Sequence, residues 1–114
     1  MNIKILVLTV MLGILGRAYA AGGFYSASDI LSDCESESVE KQNYCMMYLA
    51  GIADTTNAWV AWGDLSRRYC VPSGVDTGQL RKIYNQYANK RGDRLGDSAS
   101  SMALDAFIEK FPCE

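Results

Sequence analysis

The four cysteines constrain this chain more than any other feature: Cys34, Cys45, Cys70 and Cys113 stand in a sequence with no histidine and no C-x-x-C pair. An even set of thiols at these spacings matches no zinc pattern and no redox centre, and in an exported protein it reads as two structural disulfides. Export is written at the N-terminus. Lys4 supplies a positive start, Ile5 to Leu15 is almost wholly apolar, and Ala18-Tyr19-Ala20 has the small-x-small form of a cleavage site. Residues 1–20 are therefore expected to be a secretory signal peptide and residues 21–114 a single domain. The apolar run is shorter than the roughly 20 residues that cross a bilayer, so no membrane association is expected after cleavage.

Charge and residue usage exclude several kinds of function. The chain has 11 basic and 13 acidic residues, and loss of Lys4 and Arg17 leaves 9 against 13, a net charge of −4. Such a surface offers too few cations to neutralise a run of phosphates, which argues against nucleic acid as a partner. Without histidine a serine or cysteine nucleophile lacks its usual base, and cysteines held in disulfides cannot attack. Only carboxylates remain, and Asp54, Asp64, Asp93 and Asp105 show no pairing in the sequence that marks a glycosidase. Asp54, mid-helix, reads as a hydrogen-bonded anchor or a solvent-facing group. No enzymatic activity, no metal and no cofactor are expected.

Apolar periodicity places helices along the rest of the chain. Ser28 or Asp29 is read as the cap of a short helix ending near Cys34, and Glu35 to Gln42 as a solvated loop or the first turn of the next helix. From Asn43 to about Gly63, Tyr44, Met47, Tyr48, Gly51, Ile52, Thr55, Ala58, Trp59 and Trp62 recur at three- and four-residue steps. That stripe is expected to be the core face of a central helix, with Gly51 admitting a close neighbour. Thr55-Thr56-Asn57 is its weak point.

The chain is expected to turn at Cys70-Val71-Pro72-Ser73-Gly74, because Pro72 stops a helix arriving at Arg68 or Tyr69. Asp76 and Gln79 then form a reciprocal N-cap ahead of Leu80, Ile83, Tyr84 and Tyr87. A last helix, about Ser98 to Lys110, carries Met102, Ala103, Ala106, Phe107 and Phe111 on one face. A continuous central helix roughly 30 Å long keeps Cys45 and Cys70 apart, since a disulfide needs Cα atoms within about 7 Å. An up-and-down path brings Cys113 to Cys70 and leaves Cys34 near Cys45. The expected fold is all-α: a small disulfide-stapled bundle of about four to five helices.

The run Cys45-Met46-Met47-Tyr48-Leu49-Ala50-Gly51, then Cys70-Val71-Pro72, and finally Phe111-Pro112-Cys113 follow one another behind a signal peptide. In combination they resemble the Rap/Tai immunity proteins, which bacteria keep in the periplasm against type VI secretion effectors that cut peptidoglycan. The likeness covers nearly the whole of residues 21–114. It implies an all-α, often dimeric protein whose partner is a cognate papain-like or NlpC/P60-like cysteine amidase acting on the peptide stems of the cell wall. In that family a helix surface and a projecting loop cover the amidase cleft, and no catalytic residue is needed.

The chain departs from the family pattern at Asn89 to Asp97, where Lys90-Arg91-Gly92-Asp93-Arg94-Leu95-Gly96 replaces an expected proline-containing turn. That loop is the first candidate for partner contact, through Arg91, Asp93 and Arg94: its glycines allow unusual backbone angles, and guanidinium groups bind carboxylates bidentately. The second candidate is the exposed side of Trp59 to Arg68, with Asp64, Arg67 and Arg68, because Arg and Trp are enriched among binding hot spots. The alternative from another class is a small periplasmic acid-stress chaperone. It requires groups whose titration releases a partner, and here carboxylates alone are available for that.

Overall fold

Every α-helix of the domain starts where a short polar side chain takes up free amides. The structure is a computed structural model that describes residues 22–114; the expected signal peptide lies outside the described residues. Four α-helices follow one another: α1 (Ala27–Glu35), α2 (Val39–Ala61), α3 (Thr77–Asn89) and α4 (Ala99–Lys110), with a 3-10 turn, Gly92–Arg94, between the last two. Their N-caps are Ser26, Ser38, Asp76 and Ser98.

The cap of α1 is Ser26, ahead of the expected Ser28 or Asp29. Asp29 is its reciprocal partner: the Asp29 amide donates to Ser26 Oγ at 3.2 Å and the Ser26 amide donates to Asp29 Oδ2 at 2.9 Å. The start of α1 is also anchored from outside, since the Ala27 amide donates to the Asp97 carbonyl at 2.7 Å and the Ala99 amide to the Tyr25 carbonyl at 2.9 Å.

Helix α2 begins at Val39, so Val39 to Gln42 form its first turn, while Glu35 ends α1 and Ser36 to Ser38 join the two helices. It does not break at Thr55-Thr56-Asn57, because Thr56 Oγ1 donates to the Ile52 carbonyl at 2.8 Å and keeps the hydroxyl satisfied inside the helix. Its end lies close to the expected one near Gly63, and no helix continues to Arg68 or Tyr69 for Pro72 to stop. The helix finishes at Ala61, and Gly63 at φ 82° turns the chain out, a conformation that costs a residue with a Cβ. Residues 64–76 form an irregular return rather than a short corner, held partway by the Cys70 amide donating to the Phe111 carbonyl at 2.8 Å.

At the next helix the reciprocal cap is present: Gln79 N–H donates to Asp76 Oδ1 and Asp76 N–H to Gln79 Oε1, both at 2.8 Å. The core is built from Ile30 and Leu31 of α1, Leu49 of α2, Leu80 and Tyr84 of α3, and Met102 and Phe107 of α4. The α4 face is the expected one, with Met102, Ala103, Ala106, Phe107 and Phe111 all buried. Two disulfides close the bundle, Cys34–Cys45 with Cα atoms 5.1 Å apart and Cys70–Cys113 at 5.0 Å.

The inward face of α2 matches the expected stripe only at Tyr48 and Ile52, which are partly buried against the core. Cys45, Leu49 and Ala53 are buried, whereas Tyr44, Met47, Trp59 and Trp62 are 57%, 72%, 44% and 70% exposed. The Cys34–Cys45 bond turns Cys45 inward, and Leu49 and Ala53 follow it at four-residue steps, which sends the bulky stripe outward. Gly51 belongs to that outer side, and a Cβ built on it meets nothing within 4 Å, so no neighbouring helix approaches there.

Candidate partner-binding surface

The segment after α3 is a closed turn rather than an extended finger. Arg94 sits at its centre and is committed within the chain: its Nε–H donates to Asp97 Oδ2 at 2.9 Å and its Nη2–H to Asp105 Oδ2 on α4 at 2.8 Å. Its hydrogen bonds to the accepting carboxylates of Asp97 and Asp105 hold its pKa above the ordinary arginine value. Its guanidinium is therefore not the free fork anticipated for a partner carboxylate. Arg91 is freer, with its guanidinium 4.7 Å from the centre of the Tyr87 ring and 3.7 Å from Glu109. The Asp93 residue is exposed on the 3-10 turn. The turn thus presents Arg91 and Asp93 outward on a backbone that Arg94 fastens to α4.

The second candidate region lies at the far end of α2 and the return that follows it. Asp64, Arg67 and Arg68 are all exposed, and Arg67 Nη1–H donates to Asn57 Oδ1 at 3.3 Å. Trp59 and Trp62 stack edge to face with ring centres 5.9 Å apart, and Leu65 beside them is half exposed. Behind this cluster an open groove of about 200 Å³ runs between Thr56, Leu65, Tyr69, Leu104 and Ile108, with Arg68 on its rim. Exposed Trp and Arg are the residue types enriched in interface hot spots.

Neither candidate region includes the rest of the outer side of α2, where Tyr44 and Met47 continue the apolar surface away from Trp62. Tyr44 Oη donates to Glu40 Oε1 at 2.9 Å, and this bond holds the phenol protonated to higher pH than usual. The signal that identifies this side is Cys45: a half-cystine that pairs with Cys34 must face α1, which leaves Tyr44 and Met47 on the other side.

Among the described residues no group of three or more His, Cys, Asp or Glu side chains is placed to share a metal ion, and no helix is long and apolar enough to cross a membrane. Asp54 is exposed and belongs to no ion pair among the described residues. The surface can therefore recognise a partner through apolar area, guanidinium groups and carboxylates.

No curated protein matches the chain. The family model of the Rap1a immunity proteins does, over residues 26–113, from the N-cap of α1 to the last half-cystine. That span takes in the four α-helices of the described residues and both disulfides, and the chain belongs to the Rap1a immunity protein family.

Proposed function

We infer that residues 1–20 are removed on export and that the remaining domain protects its cell in the periplasm, where it binds a cognate peptidoglycan amidase delivered by type VI secretion. The reading is carried by the family match across residues 26–113. Two disulfides suit an oxidising compartment such as the periplasm. The protein works by occlusion, with no chemistry of its own: a rigid surface covers the amidase cleft and the substrate peptide cannot enter. The contact residues are Arg91 and Asp93 on the turn fastened by Arg94, together with Asp64, Arg67 and Arg68 beside the tryptophans. The inhibitor acts as a homodimer.

The test is a pull-down of the oxidised protein against exported amidases encoded beside its gene, followed by turnover assays at rising inhibitor ratio. Tight binding with activity falling to zero at a fixed ratio is the expected result. No binding to any of them, together with suppression of client aggregation that rises toward acid pH, points instead to an acid-stress chaperone.

A further inference from the structure

The outer side of α2 has a regularity that its place in the monomer does not explain. Tyr44, Gly51 and Ala58 recur every seven residues, as do Tyr48, Thr55 and Trp62, and the two series interleave at alternating steps of four and three. That is the spacing of a coiled-coil seam, with Tyr48, Thr55 and Trp62 in one core position and Tyr44, Gly51 and Ala58 in the other. Yet the bundle packs mainly on Cys45, Leu49 and Ala53 and leaves most of the seam outside; Tyr48 is the half-buried edge of it, packed against the core and edge to face with Tyr25 at 5.9 Å. Between Lys41 and Asp64 the only charged side chain is Asp54.

We propose that this seam is the homodimer surface, and that two copies pack their α2 helices antiparallel about a two-fold axis at the level of Ala53. The seam is its own complement in that register. In an antiparallel pair each residue of one core series meets a residue of the other, and turning the helix end for end about Ala53 sets Trp62 against Tyr44, Thr55 against Gly51 and Tyr48 against Ala58. Large faces small at the flanking layers, and Gly51 with Thr55 lets the two backbones come close at the crossing.

The area also suffices. At the areas usual for such side chains, the exposed parts of Tyr44, Met47, Trp59 and Trp62 come to about 500 Å². The small residues between them and the helix flanks supply the remainder of the roughly 800 Å² per partner of a standard interface. This inference rests on the homodimer reading and adds its surface and register.

The experiment compares wild type with Gly51→Glu, both isolated in the oxidised form, by sedimentation and by tryptophan emission over a dilution series. A Cβ at this exposed position meets nothing within 4 Å in the monomer and glutamate suits a helix better than glycine, so the fold is expected to survive the substitution. The wild type is expected to sediment as a dimer and to shift its emission to longer wavelength on dilution, since Trp59 and Trp62 are the only tryptophans. Gly51→Glu is expected to be monomeric, red-shifted at all concentrations, and no lower in melting temperature than the diluted wild type. A Gly51→Glu protein that stays dimeric overturns this surface while leaving the homodimer intact. A wild type that is monomeric at every concentration overturns both, and a monomer whose tryptophans become shielded only on adding the amidase reassigns the seam to the effector.

Discussion

The hydroxyl of Tyr84 donates to the carbonyl oxygen of Ala27 across 2.9 Å, a fully buried bond that ties the middle of α3 to the first residue of α1. The same Ala27 donates its amide to Asp97 beyond the 3-10 turn. One residue therefore couples three parts of the fold: the start of α1, the centre of α3 and the segment leading into α4.

Tyr84→Phe keeps the ring in the core and removes only that bond, so it is expected to cost about 1 kcal/mol in denaturant unfolding. The phenol also sets an alkaline limit. Burial is the main reason its pKa is raised, so the folded protein holds the proton more tightly than the unfolded chain. The contribution is complete below the unfolded tyrosine value of about 10 and is lost as pH rises above it toward the folded value. Melting temperature should fall above that pH in the wild type, and the highest-pH tyrosine step in an absorbance titration should disappear in Tyr84→Phe.

The two disulfides should differ in both weight and access. By loop-closure entropy, the 43-residue separation of Cys70–Cys113 is worth about 4 kcal/mol and the 11-residue separation of Cys34–Cys45 about 3 kcal/mol. Cys34 and Cys45 are fully buried while Cys113 is exposed, so mild reductant followed by alkylation under native conditions should label Cys70 and Cys113 first. Mass mapping that finds Cys34 and Cys45 labelled first contradicts this order.

Two glycines should respond to alanine with opposite signs. Gly63 has φ 82°, a left-handed angle that penalises a Cβ, and Gly63→Ala is expected to cost about 1–2 kcal/mol. Gly51 is an exposed helix-interior residue with open space around it, and Gly51→Ala should add about 1 kcal/mol to the fold, read by urea unfolding at concentrations where the protein is a monomer.

Arg94 and Arg91 should separate stability from recognition. Arg94→Ala releases both Asp97 and Asp105, so it is expected to lower the melting temperature slightly, more at low salt than at high salt, and to loosen the turn. Arg91→Ala with Asp93→Ala is expected to leave the melting temperature within a degree or two, as surface substitutions usually do, and to weaken amidase inhibition. Unchanged inhibition in that pair of substitutions removes the turn from the interface.

Local chemistry made much of this protein legible before any fold was seen. Asp76 and Gln79 cap α3 because both partners lie three residues apart on one turn, and Met102, Ala103, Ala106 and Phe107 line up on α4 because a 3.6-residue period brings them together. The antiparallel path follows from helix length and from where the cysteines fall. These features could be read from residue order, since every interaction involved is short-range or set by chain geometry.

Tertiary structure decided the rest. Helix α2 has apolar residues on opposite sides, Cys45, Leu49 and Ala53 on one and Tyr44, Met47 and Trp62 on the other. Periodicity reports that such sides exist, but it is blind to which one meets the bundle. The choice is made by the bond from Cys45 to Cys34 and by the space between α1, α3 and α4, which admits Leu49 and Ala53. In the same way Arg94 looked free because Asp105, the carboxylate that holds it, comes from the next helix and reaches it only once α4 has packed.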